Sequence, residues 1–228
     1  NESTVMSLIN LGHVYYMLAL YDKSLVHYED ALRVVNKLCF SEKLALEIES
    51  YIGIIYEAQS KYTLGIALIT NSLTRTTLLL GQDNLEVFCL YYNLGFVYLN
   101  KGEVQEGLQY FTKAYELRNK GVEIPNLMQA FVNLGLAASS YTLGNHPLAK
   151  EHNKLAHKLL KVHPVQKSVY MAHCENNWAF ILKNEGFNYK ASIKLNKALK
   201  IYTKTFMHDH PWVAKLYNHL SLEDLRCL

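Results

Sequence analysis

The stretch that decides the fold is Asn93-Leu94-Gly95-Phe96-Val97-Tyr98-Leu99-Asn100-Lys101-Gly102-Glu103-Val104-Gln105-Glu106-Gly107-Leu108-Gln109-Tyr110-Phe111-Thr112-Lys113-Ala114. From Leu90 to Asn100 apolar residues fall at three- and four-residue spacings, which predicts an amphipathic helix. Lys101-Gly102-Glu103 breaks it. Gly107 and Ala114 then stand seven apart, which is two helical turns, so both lie on one stripe of a second helix. Small side chains on that stripe let the neighbouring helix come close.

The same arrangement recurs on either side. Small pairs with this spacing are Ser24/Ala31, Gly65/Ser72, Ala149/Ala156 and Ala191/Ala198, and the second members of the five pairs step by 41, 42, 42 and 42 residues. Upstream of each pair a large residue precedes a small one: Leu11-Gly12, Ile52-Gly53, Leu94-Gly95, Leu134-Gly135 and Trp178-Ala179, with Leu220-Ser221 after the last pair. Each copy therefore reads as helix A, a tight turn, helix B and a connector. Such hairpins stack because one alone cannot bury its apolar face.

Composition agrees. The 228 residues are 50% apolar and 19% charged, which excludes a disordered tail, a collagen-like fibre and a disulfide-dense secreted module. Eleven glycines and four prolines are too few for the turns of an all-β protein. No uncharged apolar run of about 18 residues occurs, and the polar start Asn1-Glu2-Ser3-Thr4 is no secretory signal. The missing initiator Met reads as an excised piece of a longer protein. Cys39, Cys89, Cys174 and Cys227 form no CxxC pair, so the reading is a cytoplasmic protein without a redox or zinc site.

The pattern resembles the tetratricopeptide repeat, with an aromatic between the small pair at Tyr28 and Phe111. The usual period is about 34 residues; the longer period here is similar to the kinesin light chain type, as are Asp209-His210-Pro211-Trp212-Val213-Ala214 and Asn218-His219-Leu220-Ser221. Gly81-Gln82-Asp83 and Asn93-Leu94-Gly95 match in part. The resemblance implies an all-α, right-handed superhelical solenoid of antiparallel helix pairs. The repeats are expected at about 4–44, 45–86, 87–126, 127–168 and 169–210, with a terminal helix at 211–228, all in one domain.

Two features bear on function. Two residues before the small residue of helix A stand Asn10, Tyr51, Asn93, Asn133, Asn177 and His219. Asparagine is a mediocre helix former, so its recurrence asks for a reason. The resemblance places helix A along a concave groove, where an amide offers donor and acceptor to a bound peptide backbone. The competing reading is that these amides bond neighbouring repeats. One residue past the small position, Phe96, Leu136 and Phe180 would supply apolar contacts, and only Lys183, with Lys215 or Arg226 at the end, answers to the basic residues of a carboxylate clamp. Charge is also uneven. Residues 1–120 carry 10 basic and 13 acidic side chains, and residues 121–228 carry 13 and 7. Lys150, Lys154, Lys158 and Lys161 form one stripe; Lys190, Lys194, Lys197, Lys200 and Lys204 form another, read as the convex outside.

No phosphate loop, GxGxxG, HExxH or GxSxG motif is present. His152 and His157 are five apart, off one helical face, and no metal-ligand spacing occurs. The expectation is a non-catalytic scaffold without cofactor or metal that binds a partner's peptide segment or helix through Asn10, Asn93, Phe96, Asn133, Leu136, Asn177 and Phe180. The alternatives are a peptide-sensing or regulatory arm of a larger enzyme or transcription regulator, and docking of an acidic partner on the lysines. Nucleic acid is disfavoured because the second half has one arginine, Arg226.

Overall fold

The computed structural model describes residues 2–39, 41–162, 169–206 and 210–219. Among them every regular element is α-helical. The order is α1 Glu2–Met17, α2 Tyr21–Lys37, α3 Glu42–Ala58, α4 Tyr62–Leu80, α5 Leu85–Lys101, α6 Val104–Asn119, α7 Asn126–Thr142, α8 His146–Val162, α9 Val169–Asn184, α10 Asn188–Thr205 and α11 Pro211–His219. Odd-numbered helices are the A helices and even-numbered ones the B helices. The expected continuation of the last helix to 228, with Asp209, Leu220 and Ser221 of the quoted motifs, lies outside the described residues. The chain divides into two compact units, residues 1–123 and 124–228.

In the first unit α1/α2, α3/α4 and α5/α6 are antiparallel pairs whose seams explain the large-small pattern. A Cβ on Gly12 would lie 2.8 Å from the Tyr28 ring, and one on Gly95 would lie 2.7 Å from Phe111. The glycine is thus the socket for the aromatic midway between the small pair of helix B. Tyr28 and Phe111 are buried in those seams, and each such ring contributes a large share of a hairpin's apolar burial. In the second pair Ile69 takes the aromatic's place over Gly53. Ser24 adds a bond, its hydroxyl donating to the Gly12 carbonyl at 2.8 Å.

Stacking then buries the outer stripe of α3 and α5. Ile52 and Ile55 of α3, and Leu94 and Val97 of α5, are buried. At the matching positions of α1, Leu11 and Val14 are exposed. The turns repeat as well, seven residues past the helix-A small residue in the first three pairs. Gly102 adopts φ 94° there, while Ala19 and Ser60 hold the same left-handed region at 57° and 62°.

The second unit pairs α7 with α8 and α9 with α10, and α11 packs on α10. Asn153, the polar residue between the small pair of α8, is buried and donates from Nδ2 to the Cys174 carbonyl at 3.1 Å. Helix α11 is seated by a ring cluster. Tyr202 Oη lies 2.7 Å from His173 Nδ1, the Trp212 ring meets His173 edge-on at 5.1 Å, and His210 stacks on Phe206 at 4.0 Å. His210 Nδ1 accepts from the Trp212 backbone N–H at 3.2 Å.

This cluster sets a pH dependence. Burial, with a smaller push from the Lys215 charge, lowers the His173 pKa to about 4 from 6.5. A base whose folded pKa lies below its unfolded value binds its proton more readily when unfolded. Its contribution is therefore complete above pH ~6.5 and lost as pH falls towards ~4. Discounted for the ring's partial exposure, the loss is about 2 kcal/mol. Unfolding free energies from urea titrations at pH 7 and 4.5 should differ by that much more in the wild type than in His173→Leu; equal pH slopes would exclude the effect.

Candidate functional site

The six amide-register positions meet different fates. Asn10 of α1 is exposed and Asn93 of α5 is half-buried, and neither amide hydrogen-bonds another described residue. Phe96, one turn along α5, is half-buried and stacks on Tyr92 at 6.4 Å. Tyr51 packs on His13, with ring centroids 4.8 Å apart, and donates its hydroxyl to Glu47 Oε1. At this register Tyr51 therefore faces the seam between α1 and α3.

Asn133 and Leu136 of α7 are only 1% and 3% exposed, so neither lines a surface that a ligand can reach. Asn133 Nδ2 donates to the Gln129 carbonyl at 2.7 Å, and its Oδ1 lies 2.9 Å from His152 Nδ1. Since Oδ1 can only accept, His152 carries its proton on Nδ1, and burial holds that ring below its ordinary pKa and neutral. Asn177 Nδ2 donates to the Leu134 carbonyl at 3.3 Å, tying α9 to α7. In the second unit, then, the recurring amide joins helices, which is the competing reading. Phe180 is half-buried, 5.7 Å from the Tyr141 ring. His219's side chain lies outside the described atoms.

The basic stripes are also divided. Lys150 Nζ is 2.6 Å from Glu185 Oε1. Lys194 Nζ is 2.7 Å from Glu175 Oε2, and Lys197 pairs with its other oxygen. Glu175 on α9 is fully buried, so Lys194 and Lys197 balance an internal charge and are not free on the outside as expected. Burial pushes Glu175 up, and the two lysine bonds outweigh it and hold the carboxyl below its usual range. Lys154, Lys158 and Lys161 remain exposed.

This buried carboxylate was missed in the sequence, although a signal existed. Four residues before the small residue of helix A stand Leu8, Glu49, Tyr91, Phe131 and Glu175. An acid at a position filled elsewhere by Leu, Tyr and Phe must find a cation. Glu49 does the same in its own pair, with Arg75 Nη1 at 3.4 Å and the Ser72 hydroxyl at 3.3 Å. Among the described residues no three His, Cys, Asp or Glu side chains are grouped to hold a metal ion. No helix among them is long and apolar enough to cross a membrane.

Paired helices with small-residue seams at this period define a helical-repeat protein, and the chain belongs to the tetratricopeptide-repeat family. Tetratricopeptide-repeat models match residues 4–39 and 44–120. The search of curated proteins found no match. Among solved structures, a Podosopora anserina protein with nearly identical TPR-like repeats of the kinesin light chain type is 14% identical. It is covered over 98% of its length and covers 90% of this chain, with a TM-score of 0.62. The Rap conjugation gene regulator of plasmid pLS20 in complex with the Phr* peptide is 17% identical, with a TM-score of 0.73, over 96% of this chain and 60% of that one. NprR in complex with its cognate peptide NprX is 13% identical, with a TM-score of 0.69, over 94% of this chain and 58% of that one.

Proposed function

We propose that the chain is a non-catalytic protein–protein interaction scaffold that takes a partner's short peptide segment or helix on the A-helix face. The observation that carries this is Asn93, a half-buried amide that hydrogen-bonds no other described residue, beside the partly exposed Phe96. Asn10 offers a second such amide on α1. Two amides contribute only about 1–3 kcal/mol of net hydrogen bonding. A micromolar complex needs about 8 kcal/mol, so apolar contacts such as Phe96 must supply most of the affinity. In the second unit Asn133 positions His152 instead of meeting a partner. The peptide complexes of the Rap regulator and NprR support the choice of a peptide. They also favour a second reading, in which the array is the peptide-sensing arm of a larger regulator.

The test is to select peptides by display against the wild-type protein and measure them by fluorescence anisotropy against Asn93→Ala/Phe96→Ala. A loss of affinity of about tenfold or more, roughly one hydrogen bond and part of a ring, is expected. Full affinity in a folded variant excludes this face.

A further inference from the structure

The outer side of α10 carries more than charge. Phe187, Tyr189 and Ile193 are 49%, 72% and 50% exposed and sit together at its N-terminal end. Lys190 covers the Phe187 ring at 4.8 Å. Beyond them Lys197, Lys200 and Lys204 continue along the exposed side. Tyr189 to Lys204 spans about 22 Å at the rise of an α-helix. Helices α8 and α10 both pack against α9. Lys158, on α8, adds an exposed cation.

Buried Glu175 pins Lys194 and Lys197, whereas Lys158, Lys200 and Lys204 make no ion pair with a described residue. Like charges held on one rigid face repel, and an anion relieves that repulsion. The arrangement is a gradient, apolar at one end and basic along the rest, and it suits a linear ligand with the complementary gradient. A lipid surface would draw on apolar anchors spread across the plane, not gathered at one end. Neither α8 nor α10 carries an arginine, so this face lacks the forked donors that grip nucleic-acid phosphates.

We propose that the outer face of α10, flanked by α8, binds an acidic protein segment carrying aromatic or aliphatic residues at one end. This site is separate from the A-helix face. The probe is a fluorescein-labelled synthetic 16-mer, Phe and Leu at one end followed by Glu and Asp, with fluorescence anisotropy as readout. The peptide should bind and weaken about tenfold between low and physiological salt. Lys158→Glu/Lys200→Glu/Lys204→Glu should lose about tenfold or more, and Tyr189→Ser/Ile193→Ser about fivefold. Asn93→Ala/Phe96→Ala should bind as the wild type does, which separates this site from the other. Circular dichroism checks the fold, and Lys→Gln versions at the same three sites stand in if charge reversal unfolds the protein. The proposal is overturned by absent binding, by undiminished binding to the folded lysine variants, or by loss in Asn93→Ala/Phe96→Ala. Tighter binding of anionic vesicles or duplex DNA than of the peptide overturns it as well.

Discussion

Replacing Lys194 and Lys197 together by Met is expected to cost about 3–5 kcal/mol of stability at neutral pH, because it strands a buried charge. Glu175 has no exposed surface, and the two lysines are its ion-pair partners in the structure. The reverse deletion is milder. In Glu175→Gln the amide still accepts hydrogen bonds, and both lysine side chains already reach water, so about 1–2 kcal/mol is expected. The pH dependence distinguishes a stranded charge from lost packing. In the wild type the folded Glu175 pKa is below its ordinary value, so its contribution is present above that value and lost as pH falls. Without the lysines burial alone acts and the sign inverts: the folded pKa rises, and the variant is penalised most at high pH. Urea midpoints of variant and wild type at pH 4.5 and 7.5 test this, with a smaller deficit expected at pH 4.5. A deficit independent of pH would mean that Glu175 is not the cause.

Gly65 is the second sensitive position. A Cβ there would lie 2.6 Å from the Gly53 carbonyl oxygen, a backbone atom of the facing helix that cannot rotate away. Alanine gains about 1 kcal/mol of helix propensity over glycine, which offsets part of the clash. Gly65→Ala should therefore destabilise by about 2 kcal/mol and Gly65→Leu by on the order of 4, since overpacking grows with each added carbon. Gly107 holds the same register in α6, but its Cβ would lie 3.0 Å from the Gly95 oxygen, so Gly107→Ala should fall within about 1 kcal/mol of the wild type. Thermal melts of the three variants check the order; Gly65→Ala as stable as the wild type would mean that α3 and α4 can separate freely.

The hairpins were legible because periodicity depends on local geometry. Gly12, Gly95 and their aromatic partners Tyr28 and Phe111 announce the seam at fixed spacing, wherever the rest of the chain lies. Two turns were harder to see. Ala19 and Ser60 carry the left-handed conformation that Gly102 supplies elsewhere, at a cost of roughly 1 kcal/mol each that packing must offset. The candidate groove was legible only as a register. Asn93 and Asn133 occupy one position of the repeat, yet one amide is left open and the other is buried against His152.

The sequence by itself determined the helix pairs, their period, the small-residue seams and the uneven charge, because each depends on residues within one or two turns or one repeat. Tertiary structure alone decided which asparagines remain open, that Gly65 has no room for a methyl group, and that two lysines of an outer stripe serve a carboxylate on the neighbouring helix. Those outcomes depend on what the adjoining helix places opposite each side chain. The repeat register flags that an acid such as Glu175 needs a cation, but not which residue, 19 to 43 positions away, will meet a given side chain.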